Sequence, residues 1–201
     1  MANERLRKLT VAALTIVAVV VGGIVFQLQF GAASEEGKSM NITRVTVEHV
    51  CVVADAPFDK VAKAFEEQLG QFDPNVYKSL KEGKDADSVR AQIEKMAGPS
   101  GFMLFKTSDH GALLRLAGQK KKALQYLVGN PLFALQMTQR DIRAGLYAPL
   151  RVLIYEDEQG KTSVEYDKPS SLFGQFGNAK VTDVAVMLDR KLEQLIAKAM
   201  Q

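Results

Sequence analysis

The chain has no tryptophan, one cysteine and two histidines in 201 residues, and each scarcity closes off a class of function. A single cysteine, Cys51, cannot form an intramolecular disulfide in any compartment. It sits in the β-rich run VEHVCVVA, so a buried, unreactive thiol is expected there. His49 and His110 have no second His or Cys at ligand spacing, so the sequence offers no metal site and implies no cofactor. A dominant charge sign is missing too: 26 Lys and Arg stand against 23 Asp and Glu, for a net +3. That balance, without an aromatic-spaced Arg run, argues against a nucleic-acid partner. Ser170 and Ser171 lack a neighbouring histidine and a Gly-x-Ser-x-Gly elbow. No acid, base, nucleophile or metal set converges, so an enzyme ranks last among the function classes.

What the chain does have is a long apolar run. From Leu9 to Phe26 there is no charge, and the run extends to Phe30. As a helix it would span ~33 Å, enough for a bilayer core. Arg5, Arg7 and Lys8 precede it, while Glu35 and Glu36 come before the first basic residue after it. By the positive-inside rule the sequence therefore reads as a cytoplasmic segment over 1–8, a transmembrane signal-anchor over 9–30 and a polar tether over 31–43. The remaining domain, 44–201, is expected outside the cytoplasmic membrane of a bacterium. A cleaved signal peptide is the alternative, with Gly31-Ala32-Ala33 at the cut, but its apolar part is normally shorter.

Within 44–201 the pattern predicts a strand over 43–53. A helix follows, with Asp55 as its cap, Pro57 in its first turn and Phe58, Val61, Ala62, Phe65 and Leu69 on one stripe. Residues 71–86 read as loop with at most one helical turn. Asp87 or Ser88 then opens a second helix that ends at Gly98-Pro99. Strands are expected over 101–110 and 123–128, a helix capped by Asn130 comes next, and a hairpin runs from LRVLIYE to KTSVEYD. Pairing Glu156 with Lys161 would put Arg151, Tyr155 and Tyr166 on one face, a register that a one-residue slip would scramble. The last helix, about 179–199, carries Val181, Val184, Ala185, Leu188, Leu192, Leu195, Ile196 and Ala199 on a single stripe. This order defines an α+β fold, an antiparallel sheet packed against helices that include a long C-terminal one.

Three stretches are distinctive together: Tyr126-Leu-Val-Gly-Asn-Pro131, Ala144-Gly-Leu-Tyr-Ala-Pro-Leu-Arg-Val-Leu-Ile-Tyr-Glu-Asp157 and Gly160-Lys-Thr-Ser-Val-Glu-Tyr-Asp-Lys-Pro169. Through them the chain resembles the domain of unknown function 302 family. The core of the likeness covers roughly residues 105–168, while 44–100 fit only in coarse pattern. The resemblance implies an α+β fold similar to the TATA-binding-protein-like, helix-grip group, often dimeric, and brings no agreed activity, cofactor or catalytic residue. Many relatives carry Cys just before Asn-Pro, where this chain has Gly129, so thiol chemistry proposed for them does not carry over to this position.

The candidate site residues follow. Gly129 and Asn130 precede a helix N-terminus, which reads either as an anion pocket or as an ordinary cap. Arg151, Tyr155 and Tyr166 offer a polar-aromatic surface that orients a ligand or pairs internally. Phe173 and Phe176, on the glycine-flanked stretch after Pro169, either plug the core or cover a cavity. The leading expectation is a non-enzymatic binding module that holds a small amphipathic molecule between the sheet and the last helix. The alternative is a homodimer or a protein docking a partner in the cell envelope, with the lipid bilayer itself contacted through residues 9–30.

Overall fold

The computed structural model describes residues 40–201 and, before them, the pairs Val20–Val21 and Ile24–Val25. Those two pairs run antiparallel to each other, with Val20 opposite Val25. This corrects the expectation of one continuous membrane helix over 9–30. β-Branched residues on both sides of Gly-Gly are hairpin chemistry as much as bilayer chemistry, and apolar count alone does not separate the two. Among the described residues no helix is long and apolar enough to cross a membrane. The placement of the chain as a single-pass inner-membrane protein, with its domain on the far side, falls with that helix. The expected segments 1–8 and 31–39 and the rest of 9–30 lie outside the described residues.

Arg44–Gln201 is the second of the chain's two units and carries the α+β fold. Its strands are β1 (His49–Ala54), β2 (Gly70–Gln71), β3 (Met103–Asp109), β4 (Ala123–Gly129), β5 (Leu150–Glu156) and β6 (Thr162–Asp167). They form one sheet in the order β1-β6-β5-β4-β3-β2, with a short helix, α4 (His110–Leu114), following β3 directly. Every pairing is antiparallel except that of β2 with β3. Helices α1 (Phe58–Glu66) and α7 (Ala179–Ala199) bury their apolar stripes on one face of this sheet. Phe65, Tyr126, Val152, Ile154, Val181 and Leu192 are all fully buried there. α7 is long enough to span a bilayer but carries Asp183, Arg190, Lys191 and Glu193 on its other side, as an amphipathic helix on a sheet must.

On the other face, α2 (Asn75–Lys81) and α3 (Ala86–Met96) cover only the β3 end. There Val76, Val89, Ile93 and Met103 make a second small core. α2 occupies seven residues of the stretch expected to be loop with at most one helical turn. Only two of its residues, Val76 and Ser79, are buried, so its apolar signal is too thin to stand out in sequence. α3 starts earlier than expected because the Asp85 carboxylate accepts from the Ser88 N–H at 2.8 Å and serves as the cap. α1 also starts differently. Pro57 precedes its first residue and Asp55 makes no cap bond, while the Pro57 carbonyl accepts the Lys60 and Val61 N–H groups.

The hairpin is shifted by one residue from the expected register. Val152 faces Tyr166, Leu153 faces Glu165 and Tyr155 faces Ser163. Asp157 is the cause. Its backbone N–H donates to the Lys161 carbonyl, and its carboxylate accepts the Gln159 and Lys161 N–H groups at 2.9 and 2.8 Å. The closing pair is therefore Asp157–Lys161, around a three-residue loop with Gly160 at φ +77°, where a side chain would be strained.

Candidate functional site

The shift in register divides the expected polar-aromatic cluster between two faces. Tyr166 is buried against the α7 side of the sheet. Arg151 and Tyr155 lie on the opposite face, beside residues the sequence did not single out. On that face His49 Nδ1 sits 3.0 Å from Asp167 Oδ1, and its Nε2 sits 3.1 Å from Glu165 Oε2. Tyr155 donates its hydroxyl to Glu165 at 2.6 Å, and Arg151 reaches Asp167 at 3.5 Å. Asp167, then Glu165, hold the His49 imidazole above its ordinary pKa by hydrogen bonding to its charged form. The Tyr155 hydroxyl, with help from His49, holds the Glu165 carboxyl below its ordinary value. Each acid is thus bonded to neighbours on its own sheet, and the group reads as a self-satisfied ion-pair network.

Cys51 lies next to this network and is exposed, where a buried thiol was expected. The sheet alternates, and among the described residues no helix covers this face at its β1 edge. Partial burial, then the Glu165 charge, pushes its thiol up and away from the reactive thiolate. Among the described residues, no group of three or more His, Cys, Asp and Glu is placed to hold a metal ion.

The space expected between sheet and α7 is filled by side chains. Val181, Ala185, Leu188, Leu192, Leu195 and Ile196 are all buried against the strands. Along these residues the interface is closely packed, and the groove that remains between β1 and α7, lined by Val50, Val52, Tyr166 and Glu193, lies at its edge. A cavity of about 90 Å³ does open at the end of this core, where β4 runs into α5 (Pro131–Thr138). Its walls include Phe102, Phe105, Phe133, Phe173, Met137, Pro149 and Leu188, with Gly129, Asn130 and Pro131 along one side and Tyr77 at the rim.

Local chemistry holds each wall in place. Asn130 is buried, and its side chain accepts the Leu132 N–H at 2.8 Å and donates to the Gly101 carbonyl at 2.9 Å. One side chain thereby caps α5 and ties it to the loop before β3. On the opposite wall, Pro169 opens the short helix α6 (Pro169–Phe173), and the buried Asp189 of α7 accepts the Ser170 N–H at 2.8 Å. Ser171 bonds locally to the Lys168 carbonyl and accepts the Glu48 N–H, so both serines serve the backbone. This lock aims Phe173 inward, where it is fully buried. Phe176 points elsewhere: it packs on Tyr147 with ring centres 6.0 Å apart, under the Arg143 guanidinium at 5.1 Å.

The structure therefore brings Gly129, Asn130 and Phe173 together, places Arg151 and Tyr155 on the other face, bonded to Asp167 and Glu165 respectively, and leaves Tyr166 and Phe176 outside both groups. Phe102, Phe105 and Phe133 went unnoticed in the sequence because each reads as an ordinary core residue. Only the turn at Asn130 gathers them. A side chain at Gly129 would start 3.6 Å from both Phe105 and Pro149, in ordinary contact, so this position sets how much of the cavity stays open.

The six-stranded sheet, its flanking helices and this Asn-Pro corner define an α+β domain of a known type. The model of "Domain of unknown function DUF302" matches residues 76–199, more than half of the chain, and the protein belongs to that family. The match reaches beyond the 105–168 core visible in the motifs, into α2, α3 and α7. A solved structure of an uncharacterized conserved protein DUF302 from Bacillus stearothermophilus shares the fold at a TM-score of 0.53 and 16% identity. That likeness covers 75% of this chain and 97% of the other. No curated protein matches the chain.

Proposed function

We propose that this domain is a non-enzymatic binding module for a small amphipathic molecule, taken up by its apolar end into the cavity at the β4–α5 corner. One observation carries the reading: a phenylalanine-walled space stays open beside a core that is otherwise closely packed. Protein interiors rarely leave such volume, and apolar cavities of ~150 Å³ take up a molecule as large as benzene. At about 90 Å³ and open at the Tyr77 rim, this one suits a short alkyl chain or the edge of a ring, with the polar part of the ligand left in water.

The walls offer little polar recognition. Both ends of the Asn130 amide are already bonded to the protein, so selectivity for the inserted end rests on shape and hydrophobicity. The polar network around His49 shares no residue with the cavity, and the Cys51 thiol beside it is held away from the thiolate, which favours binding over catalysis.

Calorimetric titration of the full chain with 1-hexanol and with hexanoate tests the proposal. Saturable 1:1 binding of either, lost in Ala134→Leu, is the expected result. Ala134 lines the cavity on α5, and a larger side chain there fills it. Binding that survives Ala134→Leu, or no binding of either probe, would refute the assignment.

A further inference from the structure

Of the two tyrosines in the core, Tyr126 donates its hydroxyl to Glu66, whereas the Tyr166 hydroxyl has no hydrogen-bond partner among the described residues. A buried phenol normally finds one. Tyr166 is only 4% exposed, yet no fully enclosed side-chain oxygen or nitrogen among the described residues lacks a partner. The hydroxyl is therefore the part of the side chain that reaches solvent, and the groove between β1 and α7, which Tyr166 lines, is where it does so.

The fold builds this groove where the long helix runs past the last strand. Tyr166 lies opposite Val50 in the β1–β6 ladder, and Val50 and Val52 share its face of the sheet. From α7 come Glu193, Ile196, Ala197 and Met200, whose spacing of three, four and seven residues puts them on one stripe. The space enclosed is about 550 Å³, within the ~300 to 1,000 Å³ usual for small-molecule sites. Its walls are mainly apolar, so the few polar groups decide what enters.

Most of those groups are already engaged. The Glu48 carboxylate is paired with Lys168 at 3.1 Å, and the His49 ring is taken up by Asp167 and Glu165. Glu193 is the exception: it is exposed and makes neither an ion pair nor a hydrogen bond among the described residues. Its charge is felt at the Tyr166 phenol, whose pKa is raised by burial first, then by Glu193 and Asp189. The unpartnered hydroxyl thus stands in a negative field, which repels an anion and suits a cation.

We infer that this groove is a second ligand site and that it takes a primary amine on an apolar body. The ammonium donates to the Glu193 carboxylate and the Tyr166 hydroxyl oxygen, while the apolar part lies along Val50, Val52, Ile196 and Met200. The groove shares no residue with the cavity at the β4–α5 corner, so the two sites stand or fall separately.

Methyl-resolved NMR of the full chain carrying Ala134→Leu, which fills the corner cavity, tests the site with hexylammonium at pH 7. Saturable shifts at the Val50, Val52, Ile196 and Met200 methyls are expected, and hexanoate should produce none there. Glu193→Gln should weaken hexylammonium binding roughly tenfold, because a charge-assisted hydrogen bond is lost, and Tyr166→Phe about fivefold. Ala197→Phe should abolish it by filling the groove. Glu193 and Ala197 are exposed, and unchanged circular dichroism will show that the variants fold. The inference is overturned if those methyls show no saturable shift, if hexanoate binds there as tightly, or if affinity ignores both Glu193→Gln and Tyr166→Phe. None of these results depends on whether the corner cavity takes 1-hexanol in the wild type.

Discussion

His49 shows how much one side chain takes from its strand. Both ring nitrogens lie within 3.1 Å of a carboxylate, so the doubly protonated ring is the form the fold selects. Its folded-state pKa is raised above 6.5, chiefly by the Asp167 hydrogen bond and then by that of Glu165. The sign follows: this stabilisation is complete below the unfolded-state pKa and is lost as pH rises through the folded one. An NMR titration of the His49 ring protons should give a midpoint above 6.5, and Asp167→Asn should move it down. A midpoint that ignores Asp167→Asn would remove the cause assigned here. Tyr126 gives a second case. Its buried hydroxyl donates to Glu66 at 2.8 Å, and burial first, then Glu66, raises its pKa, so the phenol stays neutral. Tyr126→Phe should cost about 1 kcal/mol in denaturant unfolding, the net worth of one hydrogen bond. Neither interaction was legible in the sequence. Each joins residues far apart in the chain, and Cys51 was misread for the same reason: exposure on an edge strand depends on what covers the sheet, which the local composition does not record.

Elements were legible where one periodic stripe or one cap decides them. α7 runs over Ala179–Ala199 and Asn178 caps it, as its unbroken stripe and the preceding Gly-Asn predict. Asn130 caps α5 as expected, and its added bond to Gly101 makes it a tie between elements. Asn130→Ala should therefore cost about 2 kcal/mol in chemical denaturation, more than an exposed cap, because a buried carbonyl loses its partner as well. A loss near zero would show that the corner is held by other contacts. The hairpin is legible in the sequence, but its register is not. Four turn residues look alike whether Glu156 or Asp157 closes them, and only the bonds from the Asp157 carboxylate decide. One residue of slip then sent Tyr166 into the core and left Arg151 and Tyr155 outside. The apolar run over 9–30 differs in kind, since hydrophobic length alone does not specify a helix and β-branched residues around Gly-Gly also suit a hairpin.

At the scale of the molecule, the α+β class and the family followed from the order of elements and the Asn-Pro corner, but the cavity did not. It is made where the ends of β4 and β5 meet α5, α6 and α7, and no segment of the sequence contains it. Gly129 lies on its wall with space for a methyl group against Phe105 and Pro149. Gly129→Ala should raise stability by about 0.5 kcal/mol through the unfolded chain while weakening ligand binding, and thermal unfolding with and without 1-hexanol separates the two effects. The central claim is that this corner admits an apolar group from solution. Methyl-resolved NMR of the full chain titrated with 1-hexanol tests it most directly, because Met137, Leu188, Ala134 and Ala148 all line the space. The account predicts saturable shifts confined to those methyls. Shifts that are absent, or that spread without saturating over the exposed face of the sheet, would contradict it.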